Sequence, residues 1–368
     1  MKISVITGRY GLSGVPLAQL RFARALSLRG HEVDYMVGYI NEGNSIPKLN
    51  DVHVYVFHQL RVSKMLIPLI KYFKKEKPDI VFTAGDHLNA IVILAAIISR
   101  SKVKISASSR VTPFDTYSTV PFSKGWILKQ VTRAVMHRAN VLTCVSKDMV
   151  DQYHQVFKAP PHVCVYNIVN DTLSQNKMLE PVSDEWFLDK TEPIIVAAGM
   201  LESWKGFGDL IIAISELLKT KNVRLVIFGE GSLYSELQEL IYSLGIESSV
   251  KLFGYVDNPL KYFHKADVFV LSSYVEGLPN VLIEAMLCGC TPVATNCPTG
   301  PSEVLQNGKY GYLVPMHDPK AMAIGINNAL TSPISKELLE DAVKPFSENT
   351  VIERHFELLG INNTQVRQ

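Results

Sequence analysis

Between Tyr274 and Glu284 the chain reads Tyr-Val-Glu-Gly-Leu-Pro-Asn-Val-Leu-Ile-Glu. The stretch follows a β-rich run and opens a helical one. Pro279 suits a first helical turn, and Asn280 starts the helix proper. The amides of Gly277 and Leu278 fall where a helix leaves N–H groups unpaired, and the macrodipole adds positive potential there. A phosphate group suits such a place. Glu284 lies about one turn in, where a carboxylate can accept from both hydroxyls of a ribose diol, as in dinucleotide folds. Glu276, just before the helix, is placed to orient a sugar hydroxyl. A plainer account also fits: a first-turn carboxylate that offsets the helix dipole.

Three places earlier in the chain carry similar potential. Gly11-x-x-Gly14 at a helix start lets the backbone approach a phosphate or sugar closely, or simply makes a tight turn. Asp86-His87 follows a strand, so His87 is placed to bond a sugar or an acceptor; a solvated loop histidine is the bland alternative. Arg110 also follows a strand, as a ligand-facing cation or a structural arginine. The five cysteines (Cys144, Cys164, Cys288, Cys290, Cys297) show no metal-ligand spacing and suit small apolar packing positions. There is no Asp-x-Asp motif, so no metal site is expected.

The elements that must position these residues alternate regularly. Lys2–Thr7 reads as a strand, followed by glycines and a helix beginning near Pro16 with Ala18, Phe22, Ala25 and Leu26 on one face. Glu32–Val37, Ile80–Thr83, Lys104–Ala107, Ala139–Cys144 and Cys164–Tyr166 continue the strand series. Residues 171–192 change character and are expected to be a linker. Strands resume at Ile194–Ala198, Arg224–Phe228, Val250–Phe253, Val268–Leu271 and Pro292–Ala294, with helices between them. This is an α/β chain with parallel sheets, whose ligands belong at the carboxyl ends of strands.

A length of 368 residues suits two domains of roughly 150 residues each. With 47% apolar and 20% charged residues, disordered, collagenous and disulfide-scaffold classes are excluded. No apolar run is long enough for a membrane span, and MKISVITGRYG reads as a strand and glycine turn, not a signal peptide. A reduced cytoplasmic location is expected. The net charge of +2 hides an asymmetry: 23 Lys and Arg against 12 Asp and Glu in residues 1–180, then 14 against 23 in residues 181–368. A basic first half points to an anionic partner. No nucleic-acid module is visible, which favours a membrane surface or a lipid diphosphate. Residues 61–77 and 122–138 mix basic and apolar side chains and are candidates for peripheral contact with an anionic membrane, unless their apolar faces pack on the sheet.

The Glu276–Glu284 stretch resembles the Glu–seven residues–Glu signature of family-4 retaining glycosyltransferases of the GT-B fold. Gly199-Met200-Leu201-Glu202-Ser203-Trp204-Lys205-Gly206 resembles that family's Gly-Arg-Leu-x-x-x-Lys-Gly motif. Phe228-Gly229-Glu230-Gly231 resembles its second glycine loop, and Phe253-Gly254-Tyr255-Val256 the segment that holds the nucleotide base. Residues 296–303 and 307–314 match as well. The resemblance covers the second half of the chain; in the first half it rests on Gly11–Gly14 and the domain rhythm.

The resemblance implies two Rossmann-like doubly wound domains facing an interdomain cleft. Residues 1–170 would bind the acceptor and 193–345 the nucleotide-sugar donor, with a C-terminal helix and tail in 346–368. It implies a retaining, metal-independent hexosyltransferase without a cofactor. The donor would be a nucleotide sugar, UDP-linked, and the acceptor a lipid-linked or polysaccharide chain of the lipopolysaccharide or capsule type. Lys205 would hold the donor diphosphate. The family's Arg beside it is Met200 here, so helix dipoles or another cation such as Arg110 must supply the missing charge. Relatives often carry a histidine of the catalytic region near Arg110. A sugar-nucleotide epimerase of the same architecture, or a non-catalytic nucleotide-sugar binder, are the alternatives.

Overall fold

The structure, a computed structural model, describes residues 1–11, 14–49 and 51–361. The chain divides into two compact units, one formed by residues 1–168 together with the segment from Glu348 onward, the other by residues 169–347.

The first unit is built on a seven-stranded sheet of β1 (Lys2–Tyr10), β2 (Glu32–Ile40), β3 (Val52–Val56), β4 (Ile80–Ala84), β5 (Lys104–Ser109), β6 (Val141–Cys144) and β7 (His162–Cys164). Its order is β3-β2-β1-β4-β5-β6-β7, with every pair parallel. Near-continuous runs such as Ile-Val-Phe-Thr-Ala in β4 are buried throughout, as expected of a parallel strand covered on both faces. The Gly14–Leu28 helix lays Ala18, Phe22, Ala25 and Leu26 on the sheet. The Glu348–Leu358 helix joins the same core through Val351, Ile352 and Phe356, with Phe22 and His355 rings 5.2 Å apart.

The second unit has six strands: β8 (Ile194–Ala198), β9 (Arg224–Phe228), β10 (Val250–Gly254), β11 (Val268–Leu271), β12 (Thr291–Thr295) and β13 (Tyr312–Val314). Their order, β10-β9-β8-β11-β12-β13, reverses direction between β8 and β11. Loops leaving those two strands diverge and open the crevice where doubly wound folds bind ligands. Both sheets are parallel and flanked by helices, so each unit is a Rossmann-like α/β domain.

Two expectations need correction, and the cysteines can be placed. Residues 171–192 are not an open linker. They hold the helices Thr172–Met178 and Glu185–Leu188 and belong to the second unit. Asp171 and Asp184 accept from the Ser174 and Trp186 amides at the two helix starts, while Phe187 is buried with its ring 5.0 Å from that of Tyr262. The 61–77 segment keeps to the sheet: Leu69, Tyr72 and Phe73 of its Leu66–Glu76 helix are buried, and Tyr72 bonds Ser4 and buried Asp34. Its lysines are solvated on the outer face. The cysteines are free; four are buried, and Cys164 is half-buried.

Candidate active site

In the second unit the carboxyl ends of β8, β9 and β10 are stacked backbone on backbone. The Gly199 amide donates to the Phe228 carbonyl at 3.0 Å, and the Gly229 amide to that of Gly254 at 2.8 Å. Gly229 has φ +138°, and a Cβ there would fall 1.9 Å from the Gly199 carbonyl oxygen. No other residue type fits both the conformation and the gap.

The loop after β8 carries Lys205 in a short turn, Ser203–Lys205. It is stitched to the loop after β11. Ser272 Oγ donates to the Lys205 carbonyl at 2.7 Å, and the Tyr274 amide donates to that of Trp204 at 2.8 Å. Gly206, at φ +63°, closes the turn where a Cβ would lie 2.2 Å from the Ser272 carbonyl oxygen. These contacts bring Lys205 and Glu276 together across 71 positions of sequence. Lys205 Nζ donates to Glu276 Oε1 at 2.6 Å, and Ser273 Oγ donates to the same oxygen at 2.6 Å. Both side chains of the ion pair are largely shielded, 15% and 12% exposed.

Glu276 is held from the other side too. Its amide donates to the Pro298 carbonyl at 2.9 Å, its carbonyl accepts from the Thr299 amide at 2.9 Å, and Thr299 Oγ1 reaches the Gly277 carbonyl at 3.0 Å. The helix Asn280–Leu287 follows, with Pro279 at its N-cap. Among the described residues the amides of Gly277 and Leu278 have no acceptor. The site thus offers an ammonium, a fixed carboxylate and two open N–H groups at a helix start. That set suits an anion bonded to a hydroxylated group.

Gly254, at φ +83°, ends β10, followed by exposed Tyr255 and half-buried Val256. Glu284 is half-buried on the Asn280–Leu287 helix, two turns beyond Glu276. Met200 is exposed, so the position supplies no cation. Cys297 lies close enough to feel both Glu276 and Lys205, but burial raises its thiol to about 11, which leaves it no nucleophile.

The first-unit candidates sit on its own sheet. Gly14 is the exposed first residue of its helix, while Leu12 and Ser13 of the Gly-x-x-Gly turn lie outside the described residues. His87 is exposed in the first turn of the Asp86–Ser99 helix. Asp86 is buried, accepting from Ser109 Oγ and Tyr153 Oη, each at 2.8 Å; burial raises its carboxyl pKa. Arg110 turns inward. It donates to Asn167 and borders a polar cavity of about 10 Å³, room for one water, lined also by Gln19, Thr83 and His355. Burial lowers the Arg110 guanidinium to about 10. Lys205, Glu276 and the glycine loops therefore converge within one unit, whereas His87 and Arg110 are elements of the other.

Two family descriptions match the chain and between them span nearly all of it: "Glycosyltransferase Family 4" over residues 13–173 and "Glycosyl transferases group 1" over residues 180–345. An N-acetylgalactosamine-N,N'-diacetylbacillosaminyl-diphospho-undecaprenol 4-alpha-N-acetylgalactosaminyltransferase of Campylobacter jejuni is 30% identical over 254 residues, 68% of this chain and 67% of that one. The chain belongs to the group 1 glycosyltransferases. An uncharacterized glycosyltransferase of Methanocaldococcus jannaschii is 31% identical over 259 residues, 67% of this chain and 62% of the relative. The chain thus spans about two thirds of the length of both relatives. Among solved structures, Anabaena HepE in complex with UDP superposes with a TM-score of 0.77, at 20% identity, covering 98% of this chain and 100% of that one. Such a likeness establishes the GT-B fold of this glycosyltransferase.

Sequence reasoning missed Ser273 and Thr299, which fix the Glu276 side chain and backbone. Thr299 lay inside the matched stretch 296–303, but its partner is 23 positions away. Tyr274 was likewise unassigned. Its hydroxyl donates to Asp209 at 2.9 Å, and its ring lies 3.9 Å from that of His317.

Proposed function

We propose that this glycosyltransferase moves a hexose or N-acetylhexosamine from a UDP-sugar to a lipid-linked or cell-surface polysaccharide acceptor, with retention at the anomeric carbon and without a metal. The observation that carries the reading is the shielded Lys205–Glu276 pair at the β8/β11 crevice, beside the open amides of Gly277 and Leu278. A sugar nucleotide presents a diphosphate joined to a hydroxylated ring, and this group of donors and acceptors complements both parts. Glu284 would hold the ribose diol, and Gly254, Tyr255 and Val256 the base. The C. jejuni relative, whose name specifies a diphospho-undecaprenol acceptor, supports a lipid-linked acceptor here.

As the glycosidic bond to the diphosphate breaks, negative charge grows on the leaving oxygens. Lys205 and the two amides are preorganised to meet it, at no reorganisation cost during the reaction. Glu276, fixed by Ser273 and the Pro298–Thr299 backbone, orients the sugar through a hydroxyl. The departing phosphate oxygen takes the acceptor's proton, so the reaction needs no separate general base. His87 and Arg110 are assigned to the acceptor side. A lipid-linked acceptor resides in a bilayer, so the reading includes peripheral contact with an anionic membrane at its cytoplasmic face. Among the described residues no helix is long and apolar enough to cross a membrane.

The test is calorimetric titration with UDP, followed by mass-spectrometric detection of transfer from a panel of UDP-sugars to a diphospho-undecaprenol-linked saccharide. Transfer with an α-linked product is the expected result. Absence of UDP binding overturns the donor assignment, and product formed from donor alone replaces it with epimerisation.

A further inference from the structure

The helix Lys124–Val135 is unlike its neighbours. Of its twelve residues only Val135 is buried. It packs mainly against the Asp86–Ser99 helix and the Met136–Arg138 turn, one layer out from the sheet. Lys124, Ile127, Val131 and Ala134, spaced to share one face, are all exposed. The short helix Pro113–Thr116 and the loop that follows it carry larger apolar side chains into solvent: Phe114 is 55% exposed, Val120 63% and Phe122 81%. Phe122 sits at φ +61°, a conformation that bulky residues avoid, with its ring 5.4 Å from that of Trp126.

The charge of this segment is one-sided. Residues 116–138 contain no Asp or Glu. Lys124, Lys129 and Arg133 have no carboxylate partner among the described residues, whereas Arg138 is occupied by the carbonyls of Ser101 and Val103. An apolar loop tip followed by a helix with exposed apolar residues among unpaired cations matches a negatively charged surface with an oily interior. A second copy of the chain is a poor occupant, because a two-fold contact would set this basic stripe against itself.

We propose that residues 116–134 are the surface by which this glycosyltransferase docks on an anionic phospholipid bilayer, with Val120 and Phe122 inserted and Lys124, Lys129 and Arg133 at the headgroups. The proposal rests on the reading that the acceptor is lipid-linked. It selects one of the two segments whose composition suits a membrane, since the Leu66–Glu76 helix spends its apolar face on the core.

The test is flotation of the full chain with vesicles of equal parts phosphatidylcholine and phosphatidylglycerol, against vesicles of phosphatidylcholine alone. The protein is expected to float with the anionic vesicles only, with a blue shift in emission that Trp126→Phe removes. The double variant Val120→Ser/Phe122→Ser should lower partition by about tenfold or more. Lys124→Gln/Lys129→Gln/Arg133→Gln should lower it on the order of 100-fold. All five side chains lie outside the core, so circular dichroism and UDP titration should match the parent. Equal flotation with neutral vesicles, parental flotation of both variants, or a dimer in sedimentation equilibrium that Val120→Ser/Phe122→Ser dissolves overturns the proposal. A protein that floats as expected but does not bind UDP sinks the donor reading and leaves the docking surface standing.

Discussion

Replacing Lys205 by alanine removes the one ammonium that, among the described residues, bonds Glu276, 2.6 Å away, and with it the cation facing the proposed diphosphate. The leaving diphosphate gains about one unit of negative charge on the way to the transition state. A single ammonium about 4 Å from that charge, at an effective dielectric of about 20, contributes roughly 4 kcal/mol. The Lys205 side chain is 15% exposed and its charge is partly offset by the Glu276 carboxylate it donates to, so about half of that is a fair discount. At about 1.4 kcal/mol per tenfold in rate, kcat should fall about 30-fold. The fall in kcat/KM should be larger still, because the ground-state diphosphate is already charged. Fold stability should change little, since Ser273 still donates to the Glu276 carboxylate and two loop–loop hydrogen bonds at Ser272 and Tyr274 use backbone acceptors. The assay is steady-state UDP release under saturating acceptor, with thermal unfolding as the control. An unchanged kcat in a properly folded variant refutes the charge argument, and a raised KM alone reduces Lys205 to uniform binding.

Four other outcomes are expected. Glu284→Ala should weaken UDP binding about tenfold in calorimetry, with kcat at saturation changed less. Gly229→Ala should lower the thermal midpoint steeply, because its Cβ would meet the Gly199 carbonyl and its φ is +138°. Chelation with EDTA should leave transfer intact, and abolition by EDTA with rescue by a divalent cation would contradict the metal-free assignment. Buried His355 and half-buried His162, pushed down to about 3 and about 4 by desolvation, stay neutral in the fold while the unfolded chain protonates near 6.5. Their stabilisation is fully present above about pH 6.5 and is lost as pH falls towards 4, so thermal unfolding at pH 5 against pH 7 should show a drop that His355→Gln reduces.

The α/β alternation was legible because buried parallel strands such as β4 and β8 are short continuous apolar runs bounded by turn residues. The loops after β8 and β11 stood out because their glycine, lysine and glutamate spacing resembles the family's motifs. What periodicity cannot express is which way an amphipathic segment faces. The segments 61–77 and 122–138 look alike in composition, yet Tyr72 and Phe73 anchor the first to the sheet while the second buries only Val135 and Met136, at its very end. Polar composition misled at 171–192 for a different reason. Asp171 and Asp184 are helix caps, a role that makes a structured segment look like a linker, and buried Phe187 with the Asp184–Lys251 pair marks its attachment. Ser273 and Thr299 were invisible because each acts through a partner brought near by the turn of the whole loop.

The distribution of charge also separates two jobs. The second half of the chain carries an acidic surplus, 23 Asp and Glu against 14 Lys and Arg, yet it holds the anion site. Charges separated by more than about 8 Å in solution are largely screened, so the local set decides: one shielded ammonium, two open amides and a helix start outweigh distant surface carboxylates. With Met200 in place of a second cation, that set is lean, and binding must draw on the backbone dipoles. The first half has the opposite character. Arg110 and Arg138 aside, cations such as Lys71, Lys74, Lys124 and Arg133 lie exposed and spread over helix faces, where no single small anion could collect them. Only an extended anionic surface engages many weak contacts at once, and each adds on the order of 1 kcal/mol. A concentrated site for a small diphosphate and a diffuse one for a sheet of headgroups are different electrostatic solutions, and the function and docking surface proposed above place them in different halves.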